Sequence, residues 1–231
     1  MSEDKTANPE DPNDEMYDPQ ATRKRMSGMF KDVEFGRIKR GDEVDLMKKD
    51  PTLKNVMAGI GWDLKAFDRD PPDLDASVFL LDKTERTRED GDFVFYNNLS
   101  GCEGAVKHNG DSRTGAGEGD DETVLVDLAA LPFDVAKIVF TLSIYDLDMN
   151  ENNFTHVKNV YFRLVNKETD QEMVRYELET ELEAGSTGLI IGELERLGPN
   201  WVFRAVGETV KGGLGRIASN YGILITQIVV E

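Results

Sequence analysis

A stretch rich in glycine and acid, residues 110–122, carries the residue types best suited to chemistry. Of its thirteen residues, five are acidic, four are glycine and only Arg113 is basic. Two carboxylates about 5 Å apart repel by roughly 3 kcal/mol at an effective dielectric constant near 20, so a tight turn that gathers five of them needs a cation. Glycines let the backbone turn its carbonyl oxygens inward. Because carboxylate and carbonyl oxygens dominate and cysteine is absent, Ca²⁺ fits best and Mg²⁺ second.

Other oxygen donors stand upstream of this run. Asp73 and Asp75 lie two residues apart, on the same side of an extended segment that leads into the apolar strand 76–81. Further donors are Asp63, which follows Trp62, and Asn97 and Asn98, which end the strand predicted at 92–96. If the fold brings these strand ends to one pole, they complete the six to eight oxygen ligands that calcium requires.

The run does not match the common ion-binding loops. Residues 111–122 have the length of an EF-hand loop, but they do not have its pattern. The EF-hand requires Asp or Asn at its third and fifth positions, where this chain has Arg113 and Gly115, and Gly at its sixth, where it has Ala116. The Gly-Lys-Ser/Thr of a phosphate-binding loop is also missing. From the residues alone, metal binding and a solvated acidic loop both stay open.

The rest of the chain predicts an all-β fold. Residues 137–145 alternate apolar and polar side chains, which is typical of a strand with one buried face. The other predicted strands are 157–165, 172–178, 188–194 and 200–206, with shorter ones at 79–81, 92–96 and 123–128. One helix is predicted at 213–221. This order favours a two-sheet β-sandwich with one short C-terminal helix.

Composition sets the domain organisation and excludes some partners. Residues 1–33 hold three of the eight prolines and few branched apolar residues, so we expect a flexible acidic N-terminal extension before a domain at 34–231. The net charge of −18 argues against binding to nucleic acid or to anionic lipid. No apolar stretch is long enough for a membrane span. The single cysteine, Cys102, and the absence of a secretory signal lead us to expect a cytoplasmic protein.

Several segments resemble the TerD-like tellurium-resistance and stress-protein family, and the resemblance covers about residues 35–224. The glycine–acid run is its most specific part. The segments are 59–63 (Gly-Ile-Gly-Trp-Asp), 73–81 (Asp-Leu-Asp-Ala-Ser-Val-Phe-Leu-Leu), 92–98, 110–122, 161–166, 192–194 and 201–207.

The resemblance implies a β-sandwich that binds two calcium ions at one pole and contributes to resistance against tellurite and other chemical stress. Carried over by position, the first set of ligands is Asp73, Asp75, Asp111, Glu118, Asp120, Asp121 and Glu122. The second set is Asp63, Asn97 and Asn98, with the carbonyl groups of Thr114, Gly115 and Gly117. No catalytic reaction is implied, although some relatives are described as cyclic-AMP-binding proteins.

Three functional classes follow from this reading. We favour a calcium-binding module that acts by binding or scaffolding other proteins of a stress-response complex. The alternatives are a metal-dependent hydrolase that uses the carboxylate cluster, and a small-ligand binding protein of the cyclic-nucleotide type. Homo-oligomer formation is left open by an apolar edge strand predicted at 223–230.

A few single residues carry further expectations. We expect Arg163 and Arg204 to pair with acids such as Glu193 rather than to bind an anion. Cys102 should be an inert thiol, because an acidic setting raises the pKa of a thiol. Trp62 and Trp201 should lie in the core, and His108 should have no part in an oxygen-rich metal site.

Overall fold

A computed structural model describes residues 36–65, 72–110, 119–145, 153–178 and 182–223. All of them belong to one unit, Phe35–Glu231. The predicted extension, 1–33, and most of the predicted edge strand, 224–230, lie outside the described residues; Ile223 is described and is not in a strand.

The described residues fold as two β-sheets. In chain order the strands are β1 (Arg37–Ile38), β2 (Glu43–Asp45), β3 (Asn55–Leu64), β4 (Asp73–Leu81), β5 (Phe93–Val94), β6 (Ser100–Gly101), β7 (Val106–His108), β8 (Glu122–Asp127), β9 (Lys137–Tyr145), β10 (Val157–Asn166), β11 (Gln171–Glu177), β12 (Gly188–Leu197) and β13 (Asn200–Val210). Sheet A has the order β1-β11-β10-β3-β8-β7-β6, and sheet B has the order β2-β13-β12-β9-β4-β5. Neighbouring strands are antiparallel except β1 and β11, which are parallel.

Two α-helices and three 3-10 turns complete the described fold. Helix α1 (Leu46–Lys49) begins at Asp45, whose carboxylate accepts hydrogen bonds from the first backbone amides, and α2 (Gly213–Asn220) covers the outer face of sheet B. The 3-10 turns span Asp90–Asp92, Cys102–Gly104 and Phe154–His156. Gly188 lets α2 approach, since a Cβ there would lie 2.9 Å from Ile217 Cδ1.

The main core lies between the two sheets and follows the alternation of the strands. In β4, Leu74, Ala76 and Val78 point into this core, whereas Phe79 and Leu81 pack on the other face with α2. Both faces of β4 are therefore buried, which explains its nearly continuous apolar sequence. Trp62 and Trp201 are buried in the main core, as predicted.

The structure confirms the two-sheet, all-β fold and corrects several elements. The prediction of a single helix missed α1 and the 3-10 turns. The short strand expected at 79–81 is the end of the nine-residue β4. The strand expected at 92–96 contains only Phe93–Val94. The ten-residue β3 was not predicted. Within the described ranges, no helix is long and apolar enough to cross a membrane.

Candidate functional site

Six predicted ligands lie where three strands begin or end on the same side of the sandwich. We call this the acidic pole and define it by Asp63, Asp73, Asp75, Asp120, Asp121 and Glu122. The register joins the end of β3 to the start of β8, with Ile60 opposite Glu122. A hydrogen bond of 2.7 Å from the Ala76 amide to Glu122 Oε2 then connects β8 in sheet A with β4 in sheet B. The fold therefore does bring these separate stretches of sequence to one pole.

Glu122 is a buried carboxylate between the sheets, with 2 % of its surface exposed. Its Oε2 accepts the Ala76 amide and lies 3.3 Å from His108 Nε2, while Oε1 has no hydrogen-bond partner within the described part of the chain. His108 Nδ1 accepts a hydrogen bond from the Gly110 amide at 3.2 Å. Within the described part of the chain, no Lys or Arg pairs with Glu122, and His108 is the titratable side chain that contacts it.

Asp121 extends the pairing of β3 beyond the start of β8. Its amide donates to the Ile60 carbonyl at 2.8 Å, and its Oδ2 accepts the Trp62 amide at 2.8 Å. Burial raises the pKa of the Asp121 carboxyl, and the charges of Asp63 and Asp120 add to this effect, against the Trp62 hydrogen bond, which lowers it. Among the described residues, the charged groups that affect the Asp121 carboxyl are therefore acids.

Asp120 has a different environment from its neighbour in sequence. Both of its oxygens accept hydrogen bonds from Arg163, at 2.7 Å from Nε and 2.8 Å from Nη2, and Tyr161 donates its hydroxyl at 3.1 Å. The carboxylate lies directly over Gly59, where a Cβ would come within 2.2 Å of Oδ2. Burial and Asp120 together raise the pKa of Tyr161 to about 12, which keeps this hydroxyl a donor. This geometry does not favour Asp120 as a metal ligand, because its oxygens already bind a guanidinium group.

The two acids of β4 form a separate group. Asp73 and Asp75 alternate with Leu74 and Ala76, whose side chains enter the main core, so both carboxylates lie on the other face of β4. The sequence prediction that they share one side is confirmed. Asp63 lies near the end of β3, in sheet A, whereas Asp73 and Asp75 are in sheet B. It accepts a hydrogen bond from Asn159.

The structure does not bring Asn97 and Asn98 into this arrangement. Asn97 is exposed in the turn after β5, and the Asn98 amide group donates to the Phe93 carbonyl at 2.7 Å, so it is used within that turn. Within the described ranges, no three His, Cys, Asp or Glu side chains form a group that could hold a metal ion. The predicted ligands that lie outside the described residues are Asp111, Thr114, Gly115, Gly117 and Glu118.

A cleft of about 530 Å³ opens beside the pole on the outer face of sheet A, lined in part by Asp63, Tyr161, Arg163 and Arg175. The Arg175 guanidinium stacks 4.3 Å from the centre of the Tyr161 ring and lies 3.6 Å from Glu172. With Arg163 held by Asp120, both arginines of the cleft are paired with acids. The sequence did not signal the pair of Arg163 with Asp120, because its members are 43 positions apart along the chain.

The other single-residue expectations have mixed outcomes. Arg163 and Arg204 do pair with acids, but the partners are Asp120 and Glu43, whereas Glu193 binds Lys137. Burial raises the pKa of the Cys102 thiol, with Asp92 adding to the effect and Arg88 opposing it. The predicted direction is confirmed, although burial rather than acidity is its main cause.

Comparison with known proteins identifies the family of this chain. The family model for the TerD domain matches residues 36–221. General stress protein 16U of Bacillus subtilis (strain 168) is 44% identical over 189 residues, which cover 81% of this chain and 97% of that protein. Tellurium resistance protein TerD of Serratia marcescens is 44% identical over 186 residues, covering 80% of this chain and 96% of that protein.

A solved structure agrees with the fold. The crystal structure of a homologue of telluride resistance protein (TerD) from Streptomyces coelicolor A3(2) matches with a TM-score of 0.61 at 22% identity. The match covers 75% of this chain and 99% of that chain. The family model, these relatives and the shared fold agree, and the chain belongs to the TerD domain family.

Proposed function

We propose that the acidic pole binds calcium, with two ions held there, and that the protein serves a stress-response system by binding or scaffolding other proteins. The names of its relatives refer to general stress and to tellurium resistance, and they support the stress-response part of this proposal. The metal part is supported by the electrostatics of the pole, and most directly by Asp121.

Asp121 carries the calcium proposal. Its carboxylate is partly buried, its nearest charges are the acids Asp63 and Asp120, and no Lys or Arg pairs with it within the described ranges. Burial of a carboxylate without a cation is costly. A divalent ion beside Asp121 and Asp63 would remove that cost, and oxygen ligands of this kind suit calcium.

The connectivity adds to this support. The stretches 66–71, 111–118, 146–152 and 179–181 each join described residues at the acidic end of the sandwich, as the registers of β3, β4, β9 and β11 show. Their sequences contain nine acidic residues and only two basic ones, Arg69 and Arg113. Asp63 with Asp121, and Asp73 with Asp75, would each start one ion site that these stretches complete.

Asp120 does not fit the same role, because Arg163 binds both of its oxygens. We therefore assign it to positioning: the Asp120–Arg163 pair fixes the chain just before Asp121 and Glu122 against the outer face of sheet A. This assignment departs from the ligand set that the family resemblance implies.

The alternatives have less support. A metal-dependent hydrolase would need a free base beside the metal, and no described residue fits that role clearly. Binding of an anionic nucleotide is disfavoured because the arginines beside the pole, Arg163 and Arg175, are paired with acids. We propose that the protein acts in the cytoplasm, with partner proteins rather than a small substrate.

Thermal unfolding in calcium and in chelator tests this proposal. At a calcium concentration about 100 times its Kd, the folded state should gain about 2.7 kcal/mol. The Asp63→Asn/Asp121→Asn variant should lose most of that gain. The control variant Glu89→Gln/Asp90→Asn has the same change in charge at the opposite end of the sandwich. It should keep the calcium-dependent gain, because both residues are exposed there. An unchanged calcium response in the first variant, or no response in the wild type, would contradict the proposal.

A further inference from the structure

A second cleft, of about 600 Å³, lies at the end of the sandwich opposite the acidic pole. It forms where β6 turns into β7 through Cys102–Gly104 and where the chain passes from β8 to β9. Its charged lining consists of four acids and one base, namely Glu89, Glu103, Asp127, Asp134 and Arg88. The cleft therefore has a negative potential of its own, apart from that of the acidic pole.

The one base of this cleft is already neutralised. Arg88 donates Nε and Nη2 to Asp92 at 2.9 and 2.7 Å, and Nη1 to Asp134. By contrast, the side chains of Glu89 and Glu103 are exposed and make no ion pair with any described residue. Two acidic groups at the mouth of the cleft are thus available to a cation from outside.

An aromatic ring stands at the rim of the same cleft. Phe133 is 84 % exposed, although its sequence neighbours on both sides line the cleft. The loop that carries it is fixed, because Leu131 and Val135 are buried. Arg196 also donates hydrogen bonds to the carbonyl groups of Leu131, Pro132 and Val135, at 3.1 to 3.3 Å. A ring displayed on an anchored loop loses little conformational entropy when a partner covers it.

We propose that this cleft binds an extended, basic segment of a partner protein whose apolar side chain covers Phe133. Lys or Arg side chains of the segment would pair with Glu89 and Glu103, and charge complementarity of this kind steers association and fixes register. An exposed aromatic ring beside such charges is typical of a residue that dominates binding energy. The acids repel nucleic acid and anionic lipid, which leaves a basic peptide as the occupant. This inference rests on the scaffolding part of the proposed function but not on calcium.

Fluorescence anisotropy with a labelled synthetic peptide, Gly-Lys-Arg-Phe-Lys-Arg-Leu-Gly, tests the inference on the full chain. All titrations are run in chelator, so that a failure of calcium binding and a failure of this cleft stay distinguishable. The wild type should bind this peptide with a Kd below about 1 mM. It should bind the version with Glu in place of Lys and Arg far more weakly, and the version with Gly in place of Phe and Leu about tenfold more weakly.

Variants then locate the site. Phe133→Ser should weaken binding about tenfold, and Glu89→Gln/Glu103→Gln about fivefold, with a loss of salt dependence. The control Glu183→Gln/Glu208→Gln removes the same charge from exposed acids elsewhere and should change Kd less than about twofold. Absence of saturable binding at 1 mM peptide would overturn the inference. Equal weakening by the control pair would overturn it too, because only the net charge would then matter.

Discussion

Asp92 and Glu122 are buried carboxylates at opposite ends of the sandwich, and their partners differ. Asp92 is fully buried and accepts three hydrogen bonds from Arg88, one from its backbone amide and two from its guanidinium group. Glu122 is almost as buried, but its partners are the Ala76 amide and the imidazole ring of His108. Asp92 is paired with an arginine, whereas no Lys or Arg among the described residues pairs with Glu122.

The difference shows how the same physical cost is met in two ways. A carboxylate taken out of water needs an opposite charge or full hydrogen bonding. At the Asp92 end, the cation is part of the chain, so the stability of that end should not depend on solutes. At the acidic pole, no Lys or Arg of the described residues pairs with Glu122 or Asp121, and the calcium ion that we propose there would make the stability of that end depend on its concentration.

The largest expected effect comes from breaking the internal pair. Arg88→Met should lower the free energy of unfolding by about 4 kcal/mol, because Asp92 would be left as a buried charge without a partner. Urea unfolding followed by tryptophan fluorescence measures the change. The double variant Arg88→Met/Asp92→Leu should recover much of the loss, and an equal cost for single and double variants would contradict the role assigned to this pair.

The next prediction compares the two buried acids directly in chelator. Asp92→Asn should cost about 3 kcal/mol, because it removes the buried charge that Arg88 binds with two guanidinium hydrogen bonds. Glu122→Gln should instead stabilise the protein by about 1 kcal/mol, because it removes a buried carboxylate that no Lys or Arg of the described residues pairs with. Chemical unfolding of the two variants in the same buffer shows the signs. A comparable loss of stability in both variants would contradict the view that Glu122, unlike Asp92, has no partner that compensates its charge.

A third prediction separates Asp120 from Asp121. Asp120→Asn should lower stability by about 2 kcal/mol with calcium and in chelator alike, because the bidentate pair with Arg163 does not depend on metal. Asp121→Asn should change stability little in chelator but should reduce the calcium-dependent gain. Thermal unfolding of both variants, each with and without calcium, gives the four values. A calcium response lost in Asp120→Asn and kept in Asp121→Asn would reverse our assignment.

The sequence was informative where alternation and burial coincide. Strand β9 was predicted with its exact bounds, because Ile138, Phe140 and Leu142 recur at every second position and all enter the main core. Strand β3 was missed because Gly59 and Gly61 interrupt its apolar pattern. The structure explains these glycines: the Asp120 carboxylate and the Tyr161 ring occupy the space where their Cβ atoms would stand.

The site was predictable only in part. The grouping of Asp73 with Asp75 follows from the two-residue period of a strand, and the approach of β4 to β8 was expected from a shared pole. The pairing of Asp120 with Arg163 was not predictable, since the two residues are 43 positions apart. Asp120 precedes β8 and Arg163 lies on β10, and these two strands are separated by β3 in sheet A. Such pairs depend on side chains that reach across an intervening strand, here over Gly59 of β3.

The smallest expected effect concerns Cys102, which shares Arg88 with Asp92. The Arg88 Nη2 lies 3.1 Å from its sulfur, and this contact favours the thiolate, but burial outweighs it and raises the pKa of the thiol. The pH profile of alkylation by iodoacetamide should therefore have its midpoint above that of a free thiol, about 8.5. At pH 8 the rate should be severalfold below that of a free cysteine peptide. A midpoint below 8.5 would mean that Arg88 controls the thiol, and that the internal pair with Asp92 is weaker than its geometry indicates.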